Sequence, residues 1–182
     1  MSQTCTQTNR EFSWKTVLNE NRPFIALALL LAVCMISNES FRSPQNLINI
    51  SRQVACMGIA ALGMTFVIIA GGIDLSIGSL LALAGVSGIL VMGKIADPGL
   101  ALCAALTVSV GIGVLGGILN GALVTLGKIP SFIATLGTLS IFRSLSLYMA
   151  DAGTLSSSNE LFRSAGSLAF LGLPLPTWCF LL

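Results

Sequence analysis

The densest group of residues able to do chemistry is Gly71-Gly72-Ile73-Asp74-Leu75-Ser76-Ile77-Gly78-Ser79. Two glycines end an apolar run that closes at Ala70, and one carboxylate follows. Asp74 can cap the next helix with Ser76 and Ser79 near its first turn, and the helix dipole favours an acid there. Two readings stay open. One is a tight interfacial turn between two membrane spans. The other is a helix broken at membrane depth, whose irregular backbone and carboxylate line a water-filled path.

Two further groups could join it. Gly113, Gly117 and Gly121 recur every four residues, with Gly116 and Asn120 alongside. Small residues at that spacing predict a helix-packing face. Asn120 within it either bonds to a neighbouring helix or faces a pore. The second group is Ile129-Pro130-Ser131-Phe132-Ile133-Ala134-Thr135-Leu136-Gly137-Thr138. Pro130 suits a first helical turn, and Thr135, Thr138 and Ser140 are unusually polar for a lipid-facing helix. Arg143 lies about 20 Å beyond Pro130 along an ideal helix. It either snorkels to the far interface or pairs inside the protein, with Asp74 as one candidate acid.

No catalytic constellation is expected. The three Asp and four Glu stand apart, no two within four positions of each other. The chain has no His, which removes Ser-His-Asp triads and His-ligated metals. No glycine loop with lysine is present to cradle ATP phosphates. The five Cys form no C-x-x-C pair, and Cys34, Cys56 and Cys103, inside apolar runs, read as small buried hydrophobes. No metal, no cofactor and no nucleic-acid partner is expected, since the net charge is only +2.

These groups need a frame, and composition supplies it. Of 182 residues 54% are hydrophobic and 9% charged, against about 25% charged in a soluble domain. The charges cut the chain into uncharged blocks, for example 21 residues between Arg52 and Asp74 and 30 between Asp97 and Lys128. A bilayer-spanning helix needs roughly 17–25 apolar residues. Spans are therefore expected at Phe24–Ser37, Val54–Ala70, Leu75–Met92, Leu100–Leu126 and Pro130–Ala150. The fold class is all-α: one membrane domain over 1–182, a polytopic bundle of about five helices plus the start of a sixth after Pro174 and Pro176. Residues 1–22 form a cytoplasmic tail ahead of an uncleaved first helix, with Arg10, Lys15 and Arg22 placing it inside. Phe41–Arg52 reads as a short in-plane helix opened by Pro44 or as an ordinary loop. Asp151–Ser167 reads as an aqueous loop.

At this point the motifs resemble a known family. Asn46-Leu47-Ile48-Asn49-Ile50, Ala61-Leu62-Gly63-Met64-Thr65, the run Gly71–Ser79, Asn120-Gly121 and Pro130–Thr138 followed by Arg143 are similar to those of permease subunits of bacterial monosaccharide importers of the ATP-binding-cassette type. That group covers ribose, xylose, arabinose, galactose and autoinducer-2. The resemblance implies a multi-pass inner-membrane protein beside a second permease subunit. A cytoplasmic subunit would hydrolyse ATP, and a periplasmic binding protein would deliver the solute. The permease itself would catalyse no bond chemistry. Its motif marks Gly71, Gly72, Asp74, Ser76 and Gly78 as functionally important, with Asn120, Thr135 and Arg143 as further path candidates. A secondary transporter or channel, and a non-transporting membrane remnant, are the alternatives. Family members run to about twice this length and carry a cytoplasmic loop that engages the ATPase. That loop has no counterpart here. The expectation is thus either a fragment of a longer permease or a truncated gene product, and a chain that cannot sustain uptake alone.

Overall fold

The computed structural model describes residues 21–167, 169–170 and 173–181. The tail bearing Arg10 and Lys15 lies outside the described residues. The chain divides into two compact units between Asn49 and Ile50.

In the first unit, α1 (Arg22–Ser37) carries a proline in its first turn, where a missing N–H costs nothing. It ends where Asn38 turns extended. The Asn38 side chain then accepts from Ser40 N at 2.9 Å and caps the one-turn helix α2 (Glu39–Arg42). Ser43 and Asn46 shape the next junction. Asn46 N donates to Ser43 Oγ at 3.2 Å and Asn46 Nδ2 donates to Phe41 O at 3.0 Å. Pro44 opens α3 (Pro44–Ile69). The separate in-plane helix or loop expected over 41–52 is therefore corrected. From Pro44 on the backbone is one continuous helix, because no breaker follows the proline.

In the second unit, α4 (Ile77–Met92) packs against both α5 (Pro98–Thr125) and α6 (Ser131–Met149). Asp97 caps α5 by accepting from Leu100 N at 2.7 Å, with Pro98 in the first turn. The helices α3, α5 and α6 are each long and apolar enough to cross a membrane, and α1 and α4 are apolar but shorter. Short elements follow: α7 (Glu160–Ser167), the two-residue strands β1 (Ala169–Phe170) and β2 (Leu173–Pro174), paired antiparallel, and α8 (Leu175–Leu181). Of the aqueous loop expected over 151–167, residues 151–159 are irregular and only the part from Glu160 on is corrected, to α7. Asn159 Oδ1 accepts from Phe162 N at 3.1 Å as its cap, and Glu160 sits in its first turn. The chain is a multi-pass all-α membrane helix bundle, with three membrane-length helices and two shorter apolar ones among the described residues.

Its interior mixes alanines and small polar residues with a few large apolar ones, Leu83, Met92 and Phe142. The buried residues include Ser76, Ser79, Ser87, Asn120, Thr135, Thr138 and Ser146, while Phe66, Leu81, Leu115 and Tyr148 are exposed. Lipid offers no hydrophobic drive between helices, so close backbone approach and interhelical hydrogen bonds hold them. Cys56 and Cys103 follow the same rule. They lie exposed and Cys34 half-buried, which corrects their reading as buried hydrophobes: the sulfur side chains turn outward with the large apolar ones.

The α4–α5 seam is antiparallel. Met92 clusters with Ala101 and Ala105, and Ser109 Oγ donates to Ala84 O at 2.9 Å. A Cβ on Gly88 would lie 2.5 Å from Ser109 Oγ and 3.3 Å from Ala105 O. Gly88→Ala should therefore expel the Ser109 hydroxyl and lower stability by about 1–3 kcal/mol. Gly85→Ala, whose Cβ would meet nothing within 4 Å, should be neutral or stabilising. Reversible unfolding in mixed micelles reads both.

Candidate functional site

Helix α4 has 16 residues, about 24 Å of rise, short of the ~30 Å hydrocarbon core. The non-helical backbone from Gly72 to Ser76 continues its path alongside α5 and the first turn of α6. Non-helical backbone among membrane helices must find its hydrogen-bond partners within the protein, and here it finds both backbone and side-chain ones. Gly72 N donates to Val67 O at 2.9 Å. Ile73 N donates to Ser131 Oγ at 3.1 Å. Thr135 Oγ1 donates to Ser131 O at 2.8 Å and lies 3.3 Å from Ile73 O. Ser76 O accepts from Leu80 N at 2.9 Å and Ser79 Oγ at 2.7 Å.

The polar centre is a directed chain. Asp74 Oδ1 accepts from both Ser76 N and Ser76 Oγ, each at 2.7 Å. With its only proton committed to the carboxylate, the Ser76 hydroxyl must accept from its other neighbour. That neighbour is Asn120 Nδ2, at 2.7 Å. Ser76 is fully buried and Asn120 is 7% exposed. Asn120 Oδ1 is buried with no hydrogen-bond partner, a rare and costly state for a buried acceptor. Asp74 stands two residues before the cap position, since Ser76 itself occupies the N-cap of α4. Asn120 lies five residues before the end of α5, so the centre sits about 8 Å inside that end of the bundle.

Gly71 has φ 77°, a left-handed conformation that suits glycine. A Cβ on Gly72 would press on Val67 and Ser131. The structure thus joins Gly71, Gly72, Asp74, Ser76, Asn120 and Thr135 in one cluster. It leaves others outside. Gly78 is exposed with open space at its Cβ position. Arg143 is exposed, about 12 Å beyond Thr135 along α6, and among the described residues no ion pair joins it to Asp74. Gly113, Gly117 and Gly121 meet nothing within 4 Å in this chain. The close approach on α5 belongs instead to Gly116, where a Cβ would lie 2.5 Å from Leu80 Cδ1. Ser131 was not singled out by sequence reasoning. Its position just after Pro130, at the start of a helix, was the available signal.

The arrangement is an internal hydrogen-bond network of carboxylate, hydroxyl and amide groups.

Comparison with known proteins adds the following. A family model described as branched-chain amino acid transport system / permease component matches residues 46–174. The chain is 42% identical over 164 residues to the ribose import permease protein of Bacillus subtilis (strain 168), covering 88% of this chain and 49% of that protein. It is 39% identical over 165 residues to the ribose import permease protein of Haemophilus influenzae, covering 88% and 50%. It is 34% identical over 179 residues to that of Escherichia coli (strain K12), covering 96% and 54%. The chain spans about half the length of these curated relatives. No solved structure matches.

Proposed function

Since the chain belongs to the family of branched-chain amino acid transport system permease components, we propose that it is the membrane permease component of an ATP-binding-cassette importer. It carries a monosaccharide or related small polar solute across the inner membrane as one permease domain. The observation supporting this solute class is its identity to three ribose import permeases. The working partners are a second permease subunit, a cytoplasmic subunit that hydrolyses ATP and a periplasmic solute-binding protein. The N-terminus faces the cytoplasm, as the basic residues before α1 favour. The cluster of Asp74, Ser76, Asn120 and Thr135, with the backbone of Gly71 and Gly72, offers the solute hydroxyls exchangeable hydrogen bonds. Gly78, Arg143, Gly117 and Gly121, which are exposed, and the half-buried Gly113 present faces where the second permease subunit can close the path.

The test is uptake of radiolabelled D-ribose by the source cell with the gene intact or deleted. Deletion should abolish the uptake. In the intact cell it should stop on ATP depletion and survive collapse of the ion gradients. The reverse energetic pattern would identify a secondary transporter. Unchanged uptake on deletion would remove the transport role for this solute.

A further inference from the structure

At the end of α4 remote from Asp74 lies a cavity of about 320 Å³, within the usual size range of small-ligand sites. Its floor is apolar: Ile89 and Met92 from α4 and Pro98 from the start of α5. Its wall is the segment leading into α7, with Ser156, Ser158 and Glu160 facing the space. Three hydrogen bonds hold that wall in place. Ser157 Oγ donates to Met92 Sδ at 3.0 Å, Asn159 N donates to Ser157 Oγ at 3.2 Å, and Asn159 Nδ2 donates to Pro98 O at 3.0 Å.

We propose that this cavity binds a neutral polyhydroxylated solute of monosaccharide size. Each serine hydroxyl both donates and accepts, and the carboxylate of Glu160 accepts only. Sugar hydroxyls also donate and accept, so they match this wall group for group. The floor of Ile89, Met92 and Pro98 receives the C–H face of a sugar ring, whose burial is favourable. No Lys or Arg lines the cavity, so it offers nothing to hold an anion. The 16 residues of α4 separate it from the Asp74 cluster by about 24 Å, making it a second site on the same helix. The choice of solute rests on the transport reading, but the cavity and its chemistry do not.

The test is equilibrium dialysis of tritiated D-ribose against the purified chain in lipid nanodiscs. Glu160→Gln should weaken binding about tenfold, the effect of losing a charge-assisted hydrogen bond. Ser158→Ala should weaken it severalfold. Ser140→Ala, on an exposed face of α6 away from the cavity, should leave it unchanged. Circular dichroism and elution volume confirm that each variant is folded. No D-ribose binding by the unsubstituted chain, or equal binding by Glu160→Gln and Ser158→Ala, would overturn the proposal. If binding is lost in Glu160→Gln while deletion of the gene leaves cellular D-ribose uptake intact, the cavity stands and the transport reading fails. If deletion abolishes uptake but the unsubstituted chain binds no D-ribose, the transport reading stands and the cavity proposal fails.

Discussion

Asp74→Ala, introduced on the chromosome of the source cell, lowers D-ribose uptake by about a hundredfold, whereas Asp74→Asn lowers it by less than about tenfold. The difference follows from the geometry. One carboxylate oxygen of Asp74 accepts from both Ser76 N and Ser76 Oγ. Alanine removes that acceptor and leaves a donor pair unpaired at a fully buried residue. Hydrogen bonds to charged groups are worth about 1.5–3 kcal/mol each, and a hundredfold corresponds to about 2.8 kcal/mol. The estimate therefore allows water to recover part of the loss. Asparagine keeps a carbonyl oxygen at the same reach and gives up only the charge. Equal losses in the two variants would identify the charge itself as the working feature, as in a proton-coupled carrier. Undiminished uptake in Asp74→Ala would remove the cluster from the transport path.

The second large effect is on stability. Ser76→Ala deletes the middle link of the chain and leaves Asn120 with both ends of its amide unpaired, since Oδ1 already has no partner. Leaving a buried polar group unpaired costs about 1–3 kcal/mol, whereas an average interhelical hydrogen bond in a membrane is worth only about 0.6 kcal/mol. The orphaned amide dominates, and a loss of about 2 kcal/mol is expected. Replacing both partners removes the orphan, so the double variant Ser76→Ala with Asn120→Leu should recover most of that loss. Contacting residues depart from additivity in this way. Unfolding free energies of the two single variants and the double variant in mixed micelles measure it. A double variant at or below the sum of the singles would show that the amide finds another partner.

Much of this frame is legible from charge positions alone, because a membrane span announces itself by the charges it lacks. The break at Gly71–Ser76 is equally legible, since two adjacent glycines and an acid do not continue an apolar helix. What the residues do not disclose is which face of an apolar helix meets its neighbour. On α5 one stripe of small residues runs through Gly113, Gly117 and Gly121, and another through Ala105, Ser109, Gly116 and Asn120. With no polar face to orient the helix, periodicity serves both equally. The structure buries the second, where Asn120 and Ser109 find partners on α4 or just before it. Ser131 escaped notice for a related reason. Its partner, Ile73 N, lies 58 residues earlier, beyond any local pattern. A helix opened by Pro44 is one of the two readings the residues allow, but its unbroken run into the span is not legible because the polar residues over 44–53 resemble a loop, although a helix passes through them at no cost when its polar end reaches the interface. In α7 the Asn159-Glu160 pair was a start signal hidden within a serine-rich stretch.

The non-helical run from Gly72 to Ser76 also sets an order on the making of the protein. Two of its hydrogen-bonding partners are encoded downstream: Asn120 is 44 residues after Ser76, and Ser131 is 58 residues after Ile73. A ribosome adds about 5–20 residues per second, so the run waits on the order of 3–12 s for the last of them. Until then the bare Ile73 amide would cost several kcal/mol in lipid. The segment before α4 therefore stays beside water or the insertion machinery until the first turn of α6 emerges.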